Sequence, residues 1–116
     1  MFKNKNVLVT GGAGFIGSHL CDEILKNHPR SLTILDNMSL GNLRNLDEVN
    51  NDDRSHIIIG DASDYLVLKD VIDTYMIDIV FNLAVIPLPA SLSNPYENIK
   101  VNIGIVNNLC DINLIP

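Results

Sequence analysis

Four closely spaced glycines between an apolar strand and a helix are the residues of this chain best suited to bind a ligand. Their spacing matches GxGxxG and the overlapping pattern GxxGxxG, carried by Gly11, Gly12, Gly14 and Gly17. Glycine at these places lets the chain turn tightly, approach a phosphate closely and bring a helix against a sheet. The helix that begins near Phe15 directs its free N–H groups and positive dipole end at the turn, so the pattern predicts a bound pyrophosphate.

An acidic residue, Asp36, ends the next apolar strand, nineteen residues after Gly17. Because parallel strands end at the same edge of a sheet, we expect Asp36 beside the glycine turn, where a carboxylate can hold a ribose 2′-hydroxyl. The same carboxylate repels a 2′-phosphate, which favours NAD over NADP. The alternative interpretation is an acid that only ends a strand in a turn.

The histidines and cysteines do not form a second site by their spacing. His19, His28 and His56 have no cysteine or carboxylate partners at ligand spacing, so we predict no metal site and assign them structural or exposed positions. Cys21 and Cys110 lie far apart on predicted helices. We predict that both are buried and act as small hydrophobic residues.

The elements that must position the glycines and Asp36 follow from hydrophobic periodicity and capping residues. Strands are predicted over 5–10, 31–35, 56–59 and 78–84. Helices are predicted over 15–27, 43–49 and 96–114, and a further helix is predicted to begin at a cap, Ser63 or Asp64. In the first helix the apolar spacing is Phe15, Ile16, Leu20 and Ile24. In the last helix the predicted apolar ridge is Ile99, Ile103, Val106 and Cys110, and residues 85–95 form a proline-rich loop before it.

Alternating strands and helices predict a parallel sheet with right-handed crossovers. We expect a Rossmann-type doubly wound α/β fold with strand order 3-2-1-4 and a ligand crevice between strands one and four. The chain stops after the fourth strand's helix, so residues 1–116 are expected to be the N-terminal part of a longer dinucleotide-binding domain, without its catalytic and substrate regions. Strand four would then be an apolar edge, and such edges recruit partners. We therefore predict weak stability or self-association through strand four or the final helix.

Composition excludes several classes of partner. The net charge of −6 comes without a basic cluster, which makes nucleic acid an unsuitable partner. The apolar runs are too short to span a bilayer, so no membrane role is expected. The first nine residues lack the apolar core and cleavage site of a signal peptide, which predicts a cytoplasmic location.

Several ordered segments carry a family resemblance from the first strand to the end of the chain. They are TGGAGFIGSHL, LDNMSLGN, GDASD, NLAVIPLPASLSNP and VNIG. In order and approximate spacing they resemble the extended short-chain dehydrogenase/reductase family, particularly its NAD-dependent nucleotide-sugar epimerases and dehydratases. The match is much more specific than a lone glycine motif.

The resemblance implies an NAD site built from five short segments. Phe15 and Ile16 would offer backbone contacts to the pyrophosphate, Asp36 and Asn37 would hold the adenosine ribose, and the stretch from Ser39 to Gly41 would lie along the phosphate side. Asp61 and Ala62 would border the adenine, Leu83, Ala84 and Val85 would line the cofactor, and Asn102 would support its nicotinamide half. Two simpler roles stay open: Asp61 can merely turn the chain and cap a helix, and Asn102 can satisfy a local backbone group.

This chain departs from the family in two places. Many relatives have AA or AG where Ala84 and Val85 stand, and some sugar epimerases carry a lysine near Pro87. The family's catalytic Ser or Thr and its YxxxK pair lie on a fifth strand and the following helix, and neither can be placed here. Tyr96 and Lys100 match YxxxK formally, but they open the helix after strand four, so we assign no catalytic residue.

The resemblance implies that the full-length protein uses NAD to oxidise a hydroxyl of a nucleotide sugar to a transient ketone, leading to epimerisation or dehydration. The nicotinamide would carry the redox chemistry, and this segment would position it. We expect the 116 residues alone to be inactive. The alternatives are a non-catalytic dinucleotide-binding module and a short-chain reductase acting on a non-sugar carbonyl.

Overall fold

The structure, a computed structural model, describes residues 2–84, 96 and 99–114. Its strands are β1 (Asn6–Thr10), β2 (Ser31–Asp36), β3 (Ser55–Ile59) and β4 (Ile79–Asn82). Its α-helices are α1 (Phe15–Lys26), α2 (Asp47–Asn50), α3 (Tyr65–Thr74) and α4 (Gly104–Leu114). A 3₁₀ turn, Leu43–Leu46, leads into α2, and a π-helical segment, Ile99–Ile103, leads into α4.

The four strands form one parallel sheet in the order β3-β2-β1-β4, as predicted. β1 lies in the middle, with β2 on one side and β4 on the other, so their carboxyl ends share one edge. Thr10 is level with Leu35 of β2 and with Asn82 of β4. The doubly wound Rossmann-type architecture is confirmed, and the crevice expected at such a reversal of strand order lies above Thr10.

Helices cover both faces of the sheet, and each face has its own apolar core. One core joins the sheet to α1 and α2 and contains Val7, Val9, Cys21, Ile24, Ile34 and Val49. The other joins it to α3 and α4 and contains Leu8, Leu35, Leu68, Val71, Ile105 and Ile112. Burying one such side chain contributes roughly 1.5–3 kcal/mol. The two cores fix the strands, and through them the loops at the carboxyl edge.

The first helix buries a different face from the one predicted at its start. Phe15 and Ile16 are exposed, and the buried residues of this helix are Gly17, Ser18, Cys21 and Ile24. Small residues in the first turns let α1 begin almost in contact with β1. The burial of Cys21 is confirmed, and burial together with the negative charge of Asp22 raises the pKa of its thiol to about 12.

The last helix also buries a different face from the predicted ridge. Ile103, Val106 and Cys110 are exposed, whereas Ile105 and Ile112 are buried. The π-helical segment before α4 holds more residues per turn than an α-helix, so the residues after it are rotated relative to a regular spacing. The predicted ridge and the predicted burial of Cys110 are therefore wrong. The predicted loop over 85–95 and the side chain of Ile99 lie outside the described residues.

Within the described part of the chain, no helix combines the length and the apolar character that a bilayer crossing requires.

Candidate functional site

The glycine turn after β1 is held in one conformation by its backbone. Gly11 has φ +72°, a left-handed conformation that favours glycine, and its N–H donates to the carbonyl of Leu35 at 2.8 Å. A Cβ on Gly11 would lie 2.8 Å from the backbone nitrogen of Ala84. The turn is therefore pressed between the ends of β2 and β4, and any larger residue would push them apart.

The start of α1 lies directly on this turn. A Cβ on Gly17 would collide with the carbonyl oxygen of Gly11 and would lie 2.8 Å from Gly12 Cα. Gly14 is the N-cap residue, and it offers no side chain to the free N–H groups of the first helical turn. Those N–H groups, on Phe15 and Ile16 among others, are available to an acceptor outside the helix, as helix N-termini are for phosphates.

Asp36 lies against the glycine turn, as its position at the end of β2 predicted. Its side chain is almost fully buried, and Oδ2 accepts the N–H of Ala13 at 3.0 Å. Oδ1 accepts the N–H of Met38 at 2.8 Å. A carboxylate has about four acceptor positions, so two bonds fix the group and leave it able to accept a ligand hydroxyl.

The segment after Asp36 closes over the turn through one backbone and one side-chain hydrogen bond. The N–H of Asn42 and the side-chain amide of Asn45 both donate to the carbonyl of Ala13, at 3.1 and 2.9 Å. A Cβ on Gly41 would lie 2.7 Å from Ala13 Cβ and 3.0 Å from Asp36 Oδ2, so glycine allows this close approach. The loop carrying Asn37 and Ser39 is thereby placed along the same edge.

Asp61 turns the chain after β3, and its side chain is exposed. Its Oδ1 accepts both the N–H and the hydroxyl of Ser63, at 2.8 and 2.7 Å. The helix that follows is capped by Asp64, whose Oδ1 accepts from Leu66. Of the two predicted caps the structure selects Asp64, and Asp61 serves the turn while still lining the edge.

These segments surround one cavity of about 830 Å³ at the carboxyl edge of the sheet. Of the predicted site residues, those that line it are Gly11, Gly14, Phe15, Ile16, Gly17, Asp36, Asn37, Ser39, Gly41, Asp61, Ala62, Leu83 and Ala84. Gly12 is buried behind the turn against Ile34, Asn102 is not among the lining residues, and Val85 lies outside the described residues. The volume is within the usual range for sites that bind small molecules and cofactors.

Leu40, within the predicted stretch from Ser39 to Gly41, also lines the cavity, and sequence reasoning missed four further lining residues: Leu35, Gly60, Asn82 and Val101. Leu35, Gly60 and Asn82 stand at the carboxyl end of a predicted strand, so the rule that ligands bind at this edge was the signal that could have found them. Val101 lies in the π-helical segment, which the sequence patterns did not predict.

The formal YxxxK match does not contribute to the cavity. Tyr96 and Lys100, the formal YxxxK match, are both exposed and do not line it. Among the described residues no group of three or more His, Cys, Asp or Glu side chains is arranged to hold a metal ion.

A known family model matches most of this chain. The model of the NAD dependent epimerase/dehydratase family matches residues 7–113. The chain belongs to this family. The match covers the glycine turn, Asp36 and the end of β4, and it confirms the resemblance inferred from the ordered motifs.

Individual relatives agree with that assignment. The chain is 33% identical over 108 residues to UDP-glucuronic acid decarboxylase 3 of Arabidopsis thaliana. The aligned region covers 91% of this chain and 30% of the relative. The chain is also 33% identical over 112 residues to an uncharacterized membrane protein of Methanocaldococcus jannaschii, covering 96% of this chain and 33% of that protein. The chain thus spans about a third of the length of these relatives.

A solved structure shows the same architecture. The dTDP-glucose 4,6-dehydratase DesIV of Streptomyces venezuelae, solved with NAD and TYD bound, superposes with a TM-score of 0.84 at 27% identity. The superposition covers 92% of this chain and 35% of DesIV.

Proposed function

We propose that residues 1–116 form the NAD-binding part of an epimerase/dehydratase-family enzyme. The observation that carries the proposal is the fixed carboxylate of Asp36, which bonds to Ala13 in the glycine turn and also faces the cavity. This arrangement places a ribose-binding acid next to a phosphate-binding turn, which is the recognition pattern for NAD.

The residues around the turn fit a diphosphate. The uncapped N-terminus of α1 supplies N–H donors and a positive dipole end, and no acidic side chain lies in its first turn to compete with an anion. Gly14 at the N-cap leaves the approach open, and we assign the backbone of Phe15 and Ile16 to the pyrophosphate. Ser39 and Gly41 also line the cavity, and we assign them to the phosphate side.

The two ends of the cofactor are assigned to the two sides of the turn. Asp61 and Ala62, after β3, would border the adenine. Leu83, Ala84 and Val85, after β4, would line the nicotinamide half, with Asn102 supporting it. The assignment is implied by the family resemblance, and the strand order supports it, since β2 and β3 lie on one side of β1 and β4 lies on the other.

The full-length protein is proposed to act on a nucleotide sugar. Support comes from relatives named for UDP-glucuronic acid decarboxylation and dTDP-glucose dehydration. NAD, when bound, supplies the reversible hydride transfer on which such chemistry depends. This chain's own residues bind and orient it: Asp36 holds the ribose and the glycine turn holds the phosphates. We assign no acid or base to these 116 residues and expect no turnover from them alone.

Calorimetric titration of the purified chain with NAD and NADP tests the proposal through Asp36. Asp36→Asn keeps the shape and an oxygen for the Ala13 N–H, but it removes the charge and replaces the oxygen that accepts the Met38 N–H with an NH2 group. Hydrogen bonds to charged groups contribute about 1.5–3 kcal/mol, so we expect NAD affinity to fall roughly 10- to 100-fold. Preference for NAD over NADP should shrink, because a 2′-phosphate is no longer repelled.

Asp53→Asn is the matched control, since it removes an exposed carboxylate outside the residues that line the cavity. It should bind NAD like the wild type. If Asp36→Asn also binds NAD like the wild type, the assignment of the ribose to this carboxylate is wrong.

A further inference from the structure

A buried hydroxyl at the end of β1 joins three groups of β4 and the segment after it. Thr10 is fully buried, and its Oγ1 lies 2.6 Å from Asn82 Oδ1. The same oxygen accepts the backbone N–H of Leu83 at 3.2 Å and that of Ala84 at 3.3 Å. Thr10 and Asn82 are register partners in adjacent parallel strands, so their side chains lie on the same face of the sheet.

These three contacts determine how the Asn82 amide is oriented. A hydroxyl has one hydrogen to donate and two lone pairs that accept. The N–H of Ala84 and the N–H of Leu83, which is shared with the Thr10 carbonyl at 3.0 Å, both donate to Thr10 Oγ1, so the hydroxyl hydrogen goes to Asn82 at 2.6 Å. The atom of Asn82 that faces Thr10 is therefore the amide oxygen, and the amide nitrogen faces away from it.

The amide nitrogen is left as a donor at the cavity. Asn82 lines the cavity, and within the described part of the chain its Nδ2 has no hydrogen-bond partner. Nδ2 is also accessible. Among the described residues, the buried side-chain polar atom that lacks a partner is the hydroxyl oxygen of Thr33, so the unpartnered Nδ2 of Asn82 is not buried. A fixed amide donor in an apolar cavity is one of the few polar groups available there to orient a ligand.

The strand order decides which part of a dinucleotide reaches this donor. Asp36 ends β2 and Asn82 ends β4, on opposite sides of β1 and its glycine turn. A dinucleotide with its adenosine ribose on Asp36 and its diphosphate on the turn must extend its other half past Asn82. That half offers ribose hydroxyl and carboxamide oxygens as acceptors.

We propose that Asn82 Nδ2 donates a hydrogen bond to an acceptor oxygen on the nicotinamide half of the cofactor, and that Thr10 is the positioning residue that fixes this amide. The inference rests on the proposed function, because it requires a dinucleotide in the cavity. It adds a polar contact in the half of the site that is otherwise lined by Leu83, Ala84 and Val101. Thr10 contributes through Asn82 and does not itself touch the cofactor.

The test compares two ligands, NAD and ADP, because ADP lacks the nicotinamide half. We expect Asn82→Ala to weaken NAD binding about three- to tenfold, the usual range for one hydrogen bond, and to change ADP binding less than twofold. Thr10→Ser keeps the hydroxyl and should bind both ligands like the wild type. Thr10→Val removes the hydroxyl and should lower NAD affinity by a similar factor.

Thermal unfolding of each variant separates a contact from a general loss of structure. If Thr10→Val does not fold, the NAD affinity of Asn82→Ala decides whether the contact exists. The double variant that carries Thr10→Ser and Asn82→Ala should then bind NAD as tightly as Asn82→Ala alone. Equal losses for NAD and ADP, or unchanged NAD affinity in Asn82→Ala, would overturn the inference. Failure of the wild type to bind either nucleotide would instead overturn the proposed function, and this inference with it.

Discussion

The two sides of the cavity are built in different ways. On the side of β1, α1 and β2, the strand cores are fully buried and Asp36 is held by two backbone N–H groups. On the side of β4, all four strand residues are only partly buried, and the strand end is held by the hydroxyl and the backbone carbonyl of Thr10. The first side combines a tight backbone turn with the carboxylate of Asp36, and the second depends more on the side chains of Thr10 and Asn82.

This difference indicates how each side responds to mutation. On the first side the shape of the turn depends on backbone geometry, so the glycines are the residues whose substitution most affects stability, whereas ligand binding there depends on the Asp36 carboxylate. On the second side, a single deleted hydroxyl or amide is enough to weaken binding.

Gly17→Ala should have the largest effect, because its Cβ would collide with the backbone of the glycine turn. We expect a loss of about 3 kcal/mol in the free energy of unfolding, measured by urea denaturation, as for severe overpacking. Gly104→Ala is the matched control on the other side, since a Cβ there meets no atom of the described residues within 4 Å. It should stabilise α4 by up to about 1 kcal/mol. Equal stability of the two variants would remove the distinction between the sides.

The two cysteines report the same contrast through thiol reactivity. Cys21 is buried beside the glycine turn and burial raises its pKa to about 12, whereas Cys110 is exposed on α4. Because the thiolate is the reactive form, we expect a thiol reagent at pH 8 to label Cys110 at least about 100-fold faster than Cys21. Full denaturation should make the two rates similar. Fast labelling of Cys21 in the native protein would show that the turn side opens readily.

Self-association is predicted to arise on the β4 side. In the described residues β4 pairs with β1 alone, and the π-helical segment and α4 expose Ile103 and Val106, respectively. Apolar surfaces and unpaired edges of this kind recruit partners. We expect sedimentation velocity to show mass increasing with concentration, and Val106→Lys to reduce that increase if the helix face is responsible. A wild-type chain that stays monomeric at all concentrations would refute the prediction.

Removal of an ion pair that does not line the cavity should have the smallest effect on the free energy of unfolding. Arg54 donates to both oxygens of Asp52, at 2.9 and 2.7 Å, and these bonds lower the pKa of Asp52 from 3.8 to about 2. The stability contributed by the pair is therefore present above pH 4 and is lost as the pH falls from about 4 to 2. Solvent screening limits it to less than about 1 kcal/mol. Asp52→Asn should abolish this step in a pH series of urea midpoints, and an unchanged step would assign it to another group.

Sequence patterns predicted the first side well because its determinants are local. The glycine spacing, the strand before it and Asp36 at the end of β2 are all readable within one stretch, and the parallel strand order brings them together. The exposure of Phe15 and Ile16 was missed because apolar spacing alone does not distinguish a buried face from one that lines a cavity.

The second side could not be predicted in the same way. The π-helical segment rotates α4, and it has no sequence signature, so the ridge and Cys110 were misplaced. The bond between Thr10 and Asn82 joins residues 72 positions apart and depends on strand register, which periodicity does not reveal. The hydrogen bond from the Asn108 side chain to the carbonyl of Ser63 also joins residues far apart in the sequence.

Titration of the wild-type chain with NAD and with NADP, followed by calorimetry, tests the central claim most directly. Asp36 beside the glycine turn predicts saturable binding of NAD at one site and markedly weaker binding of NADP. Absence of any heat of binding for NAD, or tighter binding of NADP, would contradict the assignment of this cavity to NAD.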